Sequence, residues 1–170
     1  MQVEVPYKQA IVRKYPEAVV IAIARDQEGK YNPITLGWFM PTSGEPPMLA
    51  ISVAFTRHSY GAIRHAGSFI VSFPSVAMKE EALFYGTKSG RDTDKLAAVG
   101  AKTQPATAID CVLLADAVAN FECVLEGELK TGDHAIFAGR VTAAHVNSDP
   151  AVRRLYTLDT NYGMGGVVPG

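Results

Sequence analysis

The sequence predicts a mainly β protein, a compact β-barrel surrounded by short helices. Short runs rich in β-branched residues follow one another closely, with small helical segments between them. Late in the chain, two long runs of β-branched and aromatic residues are joined by a short turn, which is typical of an antiparallel ribbon. The regular alternation of strands and helices that a doubly wound parallel sheet needs is missing. These patterns favour an antiparallel barrel.

The first third of the chain contains three predicted strands. Residues 18–25 are apolar and β-branched, which indicates a strand buried on both faces. The turn over 26–30 has its glycine where a positive φ is needed, and a second strand follows over 32–39. A loop is predicted over 41–47 and a third strand over 48–55.

The remaining elements are shorter helices and the long ribbon. A helix over 59–65 is ended by a glycine, a strand follows over 68–73, and Ser75 is a natural N-cap for a helix that reaches Leu83. A further helix is predicted over 92–99. The ribbon is formed by strands over 119–129 and 135–146, joined by the turn 130–133.

Composition and charge exclude several classes of protein. A chain of 170 residues with 48% hydrophobic and 19% charged residues predicts one globular domain over residues 1–170. The net charge of −1 argues against a nucleic-acid-binding protein. The longest apolar run, over 18–24, is too short to cross a bilayer, and the N-terminus resembles no signal peptide. We therefore expect a cytoplasmic protein with neither a nucleic-acid nor a membrane partner.

The motifs of common enzyme classes are also absent from the sequence. It contains no G-x-G-x-x-G or Walker loop, no H-E-x-x-H, no C-x-x-C and no G-x-S-x-G elbow. The two cysteines and four histidines are scattered, so no metal site is expected.

Two segments concentrate hydroxyl groups and cations. Residues 52–60 (S-V-A-F-T-R-H-S-Y) carry them from a strand to the start of a helix, and residues 86–95 (G-T-K-S-G-R-D-T-D-K) carry them ahead of another. Either segment alone fits an ordinary helix cap. Two such segments in a chain of nearly neutral charge favour a shared phosphate, which needs several donors.

A third segment, residues 32–39 (N-P-I-T-L-G-W-F), contains the only tryptophan. A glycine inside a strand, here Gly37, often marks the close approach of a ligand or of another backbone. A core tryptophan beside a packing glycine explains the same residues, and the sequence does not separate the two interpretations.

Five segments in order resemble the flavin reductase-like family, particularly its flavoredoxin-like branch, whose fold is an FMN-binding split β-barrel. They cover most of the chain between Val19 and Val146, and the stretch from Leu155 to Gly163 resembles the family more loosely. The segments are N-P-I-T-L-G-W-F (32–39), P-P-M-L-A-I-S-V-A (46–54), T-R-H-S-Y (56–60), G-T-K-S-G-R-D-T-D-K (86–95) and G-D-H-A-I-F-A-G-R-V (132–141).

This resemblance implies a homodimer in which each split barrel holds one tightly bound FMN near the subunit interface. The residues implied to contact the flavin ring are Thr35, Leu36, Gly37, Trp38, Ser52, Val53 and Ala54. Asn32 is a further residue implied to bind the cofactor. The residues implied to hold the phosphate are Arg57, His58, Ser59, Tyr60, Lys88, Ser89, Gly90 and Lys95. Arg91 is either an outer cation or a partner of Asp94.

His134 is the one catalytic candidate. In the family pattern it lies near the pocket, where it could contact a nicotinamide or the electron acceptor, but a structural histidine at the start of a hairpin fits equally. Cys111 and Cys123 are expected to be small buried hydrophobic residues.

Three functions remain open at this point. The first is an oxidoreductase in which NAD(P)H reduces bound FMN, which then passes electrons to a protein or a small molecule. The second is a flavoredoxin-like electron carrier without its own nicotinamide site. The third is a ligand-binding barrel in which another molecule has replaced the flavin.

Overall fold

The computed structural model describes residues 1–167 of the chain. The strands are β1 (Glu17–Ala18), β2 (Val20–Arg25), β3 (Tyr31–Leu36), β4 (Phe39–Gly44), β5 (Pro47–Ala54), β6 (Ser68–Phe73), β7 (Thr103–Pro105), β8 (Val112–Leu114), β9 (Ala119–Thr131), β10 (His134–Val146), β11 (Tyr156–Thr157) and β12 (Met164–Gly165). The helices are α1 (Tyr7–Ile11), α2 (His58–Ala66), α3 (Lys79–Thr87) and α4 (Lys95–Ala98), with 3-10 turns at Val12–Lys14 and Val76–Met78.

Seven of these strands form one antiparallel sheet that curls around a hydrophobic core. Their order is β3-β2-β6-β9-β10-β5-β4, so β3 and β4 are the edge strands. The long ribbon predicted near the C-terminus is the centre of this sheet, as β9 and β10. The mainly β prediction is therefore confirmed.

Strand β2 is buried on both faces because two cores meet on it. Alternate residues such as Val20 and Ala22 face the inside of the curled sheet, together with Phe69 and Phe137. The intervening residues, such as Ile21, pack on the outside against α3, β8 and the C-terminal segment. The period-2 alternation of side chains along a strand requires this arrangement wherever both faces are covered.

The terminal segments form a small separate sheet that the sequence did not predict. Strand β1 pairs with β11, which in turn pairs with β12. Leu155 and Met164 from this part of the chain are buried in the outer core. Strands of two residues carry no periodic signal, so only the tertiary contact shows them.

The predicted second strand over 32–39 is wrong in its extent, and so is the loop over 41–47. The strand ends at Leu36, and the chain then turns at Gly37 and Trp38. Beyond this turn lies β4, which forms a hairpin with β5. Pro41 is tolerated in β4 because this strand lies at the edge of the sheet.

Two predicted helices also differ from the structure. Ser75 has the extended backbone of an N-cap but no capping hydrogen bond from its side chain, and the helix after it continues to Thr87 instead of Leu83. The helix predicted over 92–99 is a single turn, α4, which Asp94 caps by accepting the N–H of Ala97 at 3.1 Å.

Within residues 1–167, the helices are all too short or too polar to span a membrane. The single-domain prediction for residues 1–170 stays a prediction, and residues 168–170 lie outside the described part of the chain.

Candidate functional site

The two cationic segments predicted from the sequence meet in one place. They line a cavity of about 150 Å³, which we call the basic cavity. It is lined by Ile34, Thr56, Arg57, His58, Ser59, Tyr85, Gly86, Thr87, Lys88, Ser89, Gly90, Arg91 and Lys95. Four of these side chains are lysine or arginine, and no aspartate or glutamate of the described residues is among the lining residues. The cavity is therefore strongly electropositive.

One wall of the basic cavity is the start of α2. The helix begins after Arg57, which makes no capping hydrogen bond with its side chain. The first N–H groups of a helix have no partner inside the helix, and they lie at the positive end of its dipole. Ser59 in this first turn is buried, and its hydroxyl accepts the amide of Asn32 at 2.7 Å. This wall suits an anion.

The opposite wall lies ahead of a helix, as the sequence predicted, but that helix is shorter than the one predicted over 92–99. Gly86 and Thr87 form the last turn of α3, and α4 is only four residues long. The cations of this wall therefore come from the connecting loop and from the first residue of α4. Cations beside the C-terminal end of α3 also complement its dipole, which explains why they are tolerated so close together.

Lys95 is the buried cation of this cavity. Its side chain is 3% exposed, and its Nζ donates to the carbonyl oxygens of Tyr85 at 3.1 Å and Lys88 at 3.5 Å. Burial, with the nearby charge of Arg57, lowers the pKa of Lys95 to about 8. Within residues 1–167 no carboxylate pairs with it. An unneutralised buried ammonium is costly, and an incoming anion removes that cost.

Gly90 allows the loop to approach the sheet closely. A Cβ added there would lie 2.0 Å from Oδ1 of Asn32 and 3.0 Å from the ring of His58. Asn32 is 4% exposed, and its Oδ1 has no hydrogen-bond partner among the described residues. Asn32 and Gly90 are both among the predicted cofactor-binding residues, and they lie in contact at the edge of the basic cavity.

A wider groove of about 410 Å³ continues from the basic cavity and shares Arg57, Gly86 and Thr87 with it. Its other lining residues come from β3, α3 and both terminal segments: Tyr15, Glu17, Val19, Thr35, Gly37, Ala82, Leu83, Thr157, Tyr162 and Met164. The two spaces together offer a cationic pocket for an anion and, beside it, a larger space for the group that the anion is attached to.

Two predicted ring contacts, Thr35 and Gly37, lie in this groove, but each already has a neighbour. The hydroxyl of Thr35 donates to the carbonyl of Ala82 at 2.6 Å. A Cβ on Gly37 would lie 2.5 Å from Oε1 of Glu17, whose carboxylate pairs with Lys14 at 2.5 Å. The close approach that Gly37 permits is therefore made by a side chain of this chain's own N-terminal segment.

The other predicted ring contacts lie elsewhere. Leu36 packs against the inner core, and Val53 is fully buried within it. Ala54 pairs with His134 across the sheet. Ser52 donates its N–H to the carbonyl of Trp38 at 2.9 Å. Ser52 and Trp38 line a shallow apolar surface cavity of about 230 Å³ together with Phe39, Met40, Ala50, Ile51 and Ile136.

His134 lies beside Trp38, with ring centroids 4.8 Å apart. Its Nδ1 is 2.6 Å from Oδ1 of Asp133, which fixes the orientation of the imidazole. Among the described residues, His134 lines neither the basic cavity nor the groove. A role for this histidine in the reaction stays a prediction.

A second cavity adjoins the basic cavity across Arg57, His58 and Arg91, which line both. We call it the adjoining cavity; its volume is about 210 Å³, and its other lining residues are Asp26, Gln27, Glu28, Phe55, Tyr60, Gly61 and Ala62. Tyr60, predicted to hold the phosphate, lies here instead, with its hydroxyl donating to Glu128 at 2.9 Å. The guanidinium of Arg91 donates to the carbonyl of Thr56 at 3.2 Å, whereas the sequence suggested Asp94 as one possible partner.

Asp26, Glu28 and His58 bring three possible metal-ligand atoms within 4.8 Å of one another. Burial favours a raised pKa for Asp26, but hydrogen bonds from His58 and from the N–H groups of Lys30 and Glu28 outweigh it, and the pKa is lowered. The carboxylate is thus held charged by protein donors. The expectation that the chain has no metal site stays a prediction.

The terminal segments line the groove, which the sequence did not predict. Tyr15 and Glu17 precede the first resembling segment, and Thr157, Tyr162 and Met164 lie in or beyond the stretch that resembles the family only loosely. No local pattern marks these residues, because their place in the groove depends on the pairing of β1 with β11.

Comparison with known proteins identifies related chains. Residues 12–165 match the family described as flavin reductase like domain. The NADH-dependent flavin reductase StyB of Pseudomonas fluorescens is 27% identical over 158 residues, covering 92% of this chain and 86% of the relative. The matches to the first three curated relatives span 63%, 54% and 54% of those proteins' lengths, so the chain corresponds to only part of them.

Solved structures show the same fold. The flavoredoxin from Methanosarcina acetivorans superimposes with a TM-score of 0.89 at 22% identity, covering 100% of this chain and 93% of the other. The FMN-binding protein from Thermus thermophilus with bound 1-cyclohex-2-enone gives a TM-score of 0.80 at 25% identity, covering 99% and 97%. The split-barrel fold predicted from the sequence motifs is thereby confirmed.

Proposed function

The chain belongs to the flavin reductase-like family, and we propose that it is an FMN-binding oxidoreductase that accepts hydride from NAD(P)H and passes electrons to a second acceptor. The observation that carries the proposal is the basic cavity, in which two cationic segments and an unneutralised buried lysine converge. A phosphate monoester supplies the charge and the acceptor oxygens that these donors lack.

The phosphate would be held at the start of α2 and by the loop after α3. Ser59 and the first N–H groups of α2 would donate from one side, while Lys95 and Lys88 would donate from the other. Gly90 keeps the loop close enough for both walls to reach one group. Arg57 lines both the cavity and the groove, so it would lie beside the chain that joins the phosphate to the ring.

FMN supplies the redox chemistry when bound, since its ring accepts hydride from a nicotinamide. The protein's part is to hold the ring in the groove and to leave one face open. For the ring to rest against Gly37, the carboxylate of Glu17 must move from its place beside that glycine. His134, oriented by Asp133 and packed beside Trp38, is the residue that would act on the nicotinamide or on the acceptor.

We also propose that the protein is a homodimer. Trp38 and Met40 are each about half exposed, and the apolar surface cavity around them is contributed by three neighbouring strands. Exposed apolar patches of this kind mark interaction surfaces, and a second copy of the chain would cover this one. Trp38 and Ser52, the predicted ring contacts that do not line the groove, would then face the flavin across the subunit interface.

The proposal is tested on the purified protein loaded with FMN under anaerobic conditions. We expect NADH or NADPH to bleach the flavin absorbance band in stopped-flow mixing, and sedimentation velocity to give twice the mass of one chain. Flavin that binds but is bleached by neither nucleotide would instead show an electron carrier reduced by a protein partner. A chain that binds no FMN, or sediments as a monomer when loaded, contradicts the corresponding part of the proposal.

A further inference from the structure

Among the described residues, Glu17 is the one acidic side chain that lines the groove. Its carboxylate lies against Gly37, where an added Cβ would be 2.5 Å from Oε1 and 3.1 Å from Oε2. The other charged residue lining the groove is Arg57, which also lines the basic cavity, where a phosphate would neutralise it. The carboxylate of Glu17 is therefore the charge that remains beside a ring held in the groove.

The backbone of Glu17 is fixed in the wall of the groove. Glu17 pairs with Thr157 where β1 meets β11, and Thr157 is itself buried and lines the same groove. A ring that takes the space next to Gly37 can therefore displace the carboxylate only by rotating its side chain, which leaves the charge next to the ring. The side chain of Glu17 is 18% exposed, so that water screens this charge incompletely.

Lys14 holds the carboxylate of Glu17 in an ion pair. The Nζ atom of Lys14 is 2.5 Å from Oε2 of Glu17. The same atom lies 5.5 Å from the ring centroid of Tyr15 and 5.7 Å from that of Trp38, and both rings attract a cation. Lys14 does not line the groove, so the carboxylate is the charge nearer to the ring.

A charge in this position affects the redox state of the flavin. Hydride transfer moves two electrons and one proton from the nicotinamide to the ring, so that the ring gains one negative charge and the nicotinamide becomes a cation. A carboxylate beside the ring opposes this gain of negative charge, whereas a cation favours it. We propose that Glu17 lowers the reduction potential of the bound flavin and that Lys14 limits this decrease.

The inference rests on the proposed function, because it requires the flavin ring in the groove. It gives the pair of Lys14 and Glu17 a defined effect on the two halves of the reaction. A lower potential makes the reduced flavin a stronger donor to the second acceptor, and it makes reduction by the nicotinamide less favourable. The pair therefore sets the balance between accepting and passing on electrons.

The test removes each charge in turn and keeps a polar side chain of similar length, with Glu17→Gln and Lys14→Gln. The full chain is loaded with FMN, and the midpoint potential of the bound flavin is measured against a reference dye during slow anaerobic reduction. The matched control is the pair of Glu126 and Arg140, whose charged atoms are also 2.5 Å apart but which lines neither the groove nor the basic cavity. The control variants are Glu126→Gln and Arg140→Gln.

We expect Glu17→Gln to raise the midpoint potential. The ratio of the affinities for reduced and oxidised FMN should increase by about tenfold, which is about 30 mV for a two-electron couple. Lys14→Gln should shift the potential in the opposite direction, with a decrease of about threefold in the same ratio, because the cation is farther from the ring. The two control variants should change the ratio by less than about twofold.

Shifts of opposite sign distinguish a direct effect of charge from a structural role. Equal potentials in wild type, Glu17→Gln and Lys14→Gln, or shifts of the same sign in both variants, overturn this inference and leave the proposed function standing. If one variant binds no FMN, the sign of the shift in the other decides. If neither variant binds FMN, the pair holds the cofactor and the inference is wrong.

The potential is measured without a nicotinamide, which separates this inference from the proposed function. Bound FMN that neither NADH nor NADPH bleaches contradicts the proposed function, whereas opposite shifts in the two variants would still support the role of Glu17. A wild-type chain that binds no FMN contradicts both.

Discussion

Glu122 and Lys95 are both charged and almost completely buried, but their surroundings differ. Glu122 in β9 accepts three backbone N–H groups, from Thr107, Ala108 and Ile109, at 2.6–3.0 Å, and it lies 2.7 Å from Nε2 of His145. Lys95 donates to two carbonyl oxygens and has no carboxylate partner within residues 1–167. One buried charge is satisfied by the fold, and the other lacks a counter-charge among the described residues.

The contrast separates a structural charge from a binding charge. Burial raises the pKa of Glu122, but the hydrogen bonds from Thr107, Ala108 and His145 outweigh it and lower the pKa to about 2. For Lys95, burial is the main cause and it is not compensated, so its pKa falls to about 8. Removing a charge that the fold stabilises should lower the free energy of unfolding. Removing a charge that the fold destabilises should mainly lower the affinity for the ligand.

The strongest consequence is expected at Glu122. Glu122→Ala leaves the N–H groups of residues 107–109 and the ring of His145 without an acceptor, and we expect the free energy of unfolding to fall by about 3–5 kcal/mol. Urea unfolding followed by circular dichroism measures this change. Glu126→Ala, on the same strand, is the control: Glu126 forms a surface pair with Arg140 at 2.5 Å and should cost less than about 1 kcal/mol.

If Glu122→Ala and Glu126→Ala lower the free energy of unfolding equally, Glu122 does not have the structural role assigned to it. If Glu122→Ala does not fold, Glu122→Gln retains one acceptor oxygen and should show a smaller loss in the same direction. The pH dependence has a defined sign, because the carboxylate binds protons more weakly in the folded state. About 3 kcal/mol of stability, present above pH 4.5, should be lost as the pH falls towards 2.

A second, smaller effect is expected at Lys95. Lys95→Met removes the buried ammonium, and we expect FMN to bind with an affinity lower by about 2 kcal/mol, or roughly thirtyfold, because a charge-assisted donor is lost. Stability should change by less than about 1 kcal/mol, since the cost of burying the charge disappears with its hydrogen bonds. Isothermal titration with FMN and urea unfolding give the two values.

Lys88→Met is the matched control for this experiment. Lys88 lines the same cavity but is exposed, so solvent screens its charge and its loss should weaken FMN binding by less than about 1 kcal/mol. If Lys95→Met unfolds the protein and leaves the affinity of the folded fraction unchanged, Lys95 is structural and the contrast with Glu122 is lost.

The same contrast explains what the sequence could predict. The two hydroxyl- and cation-rich segments are recognisable because each concentrates binding groups locally, and the structure brings them to one cavity. Strand β2 and the ribbon of β9 and β10 are recognisable because side-chain periodicity is also local. The burial of an individual charged residue cannot be recognised from its neighbours in the sequence. In the sequence, Glu122 is one polar residue in a strand and Lys95 is one of several lysines, and only the folded chain distinguishes them.

The errors in the predicted elements have the same origin. Gly37 is a single glycine inside an apolar run, so only the pairing of β4 with β5 shows that the chain turns at Gly37 and Trp38 and continues as a strand past Pro41. Likewise, Glu17 reaches Gly37 because β1 pairs with β11 from the other end of the chain. Pairing with another segment of the chain decides both features.

The most modest change is expected in the pH dependence of FMN affinity between pH 8 and 9. Because Lys95 in the flavin-free protein has a pKa of about 8, it loses its charge over this interval, and phosphate binding must restore the proton. The dissociation constant should therefore rise by about fivefold between pH 8 and 9, while the phosphate itself stays a dianion. Fluorescence titrations across this range measure the change.

Folding stability should respond to the same deprotonation in the opposite direction. The unfolded chain holds the Lys95 proton up to about pH 10.5, so the contribution of Lys95 to stability rises as the pH increases from 8 towards 10.5. Lys95→Arg keeps a cation that does not titrate here and should flatten both profiles. An affinity that falls equally in wild type and Lys95→Arg would place the titrating group elsewhere. An FMN affinity that falls with rising pH, together with a folding stability that rises, is expected of a buried cation whose counter-charge is the ligand.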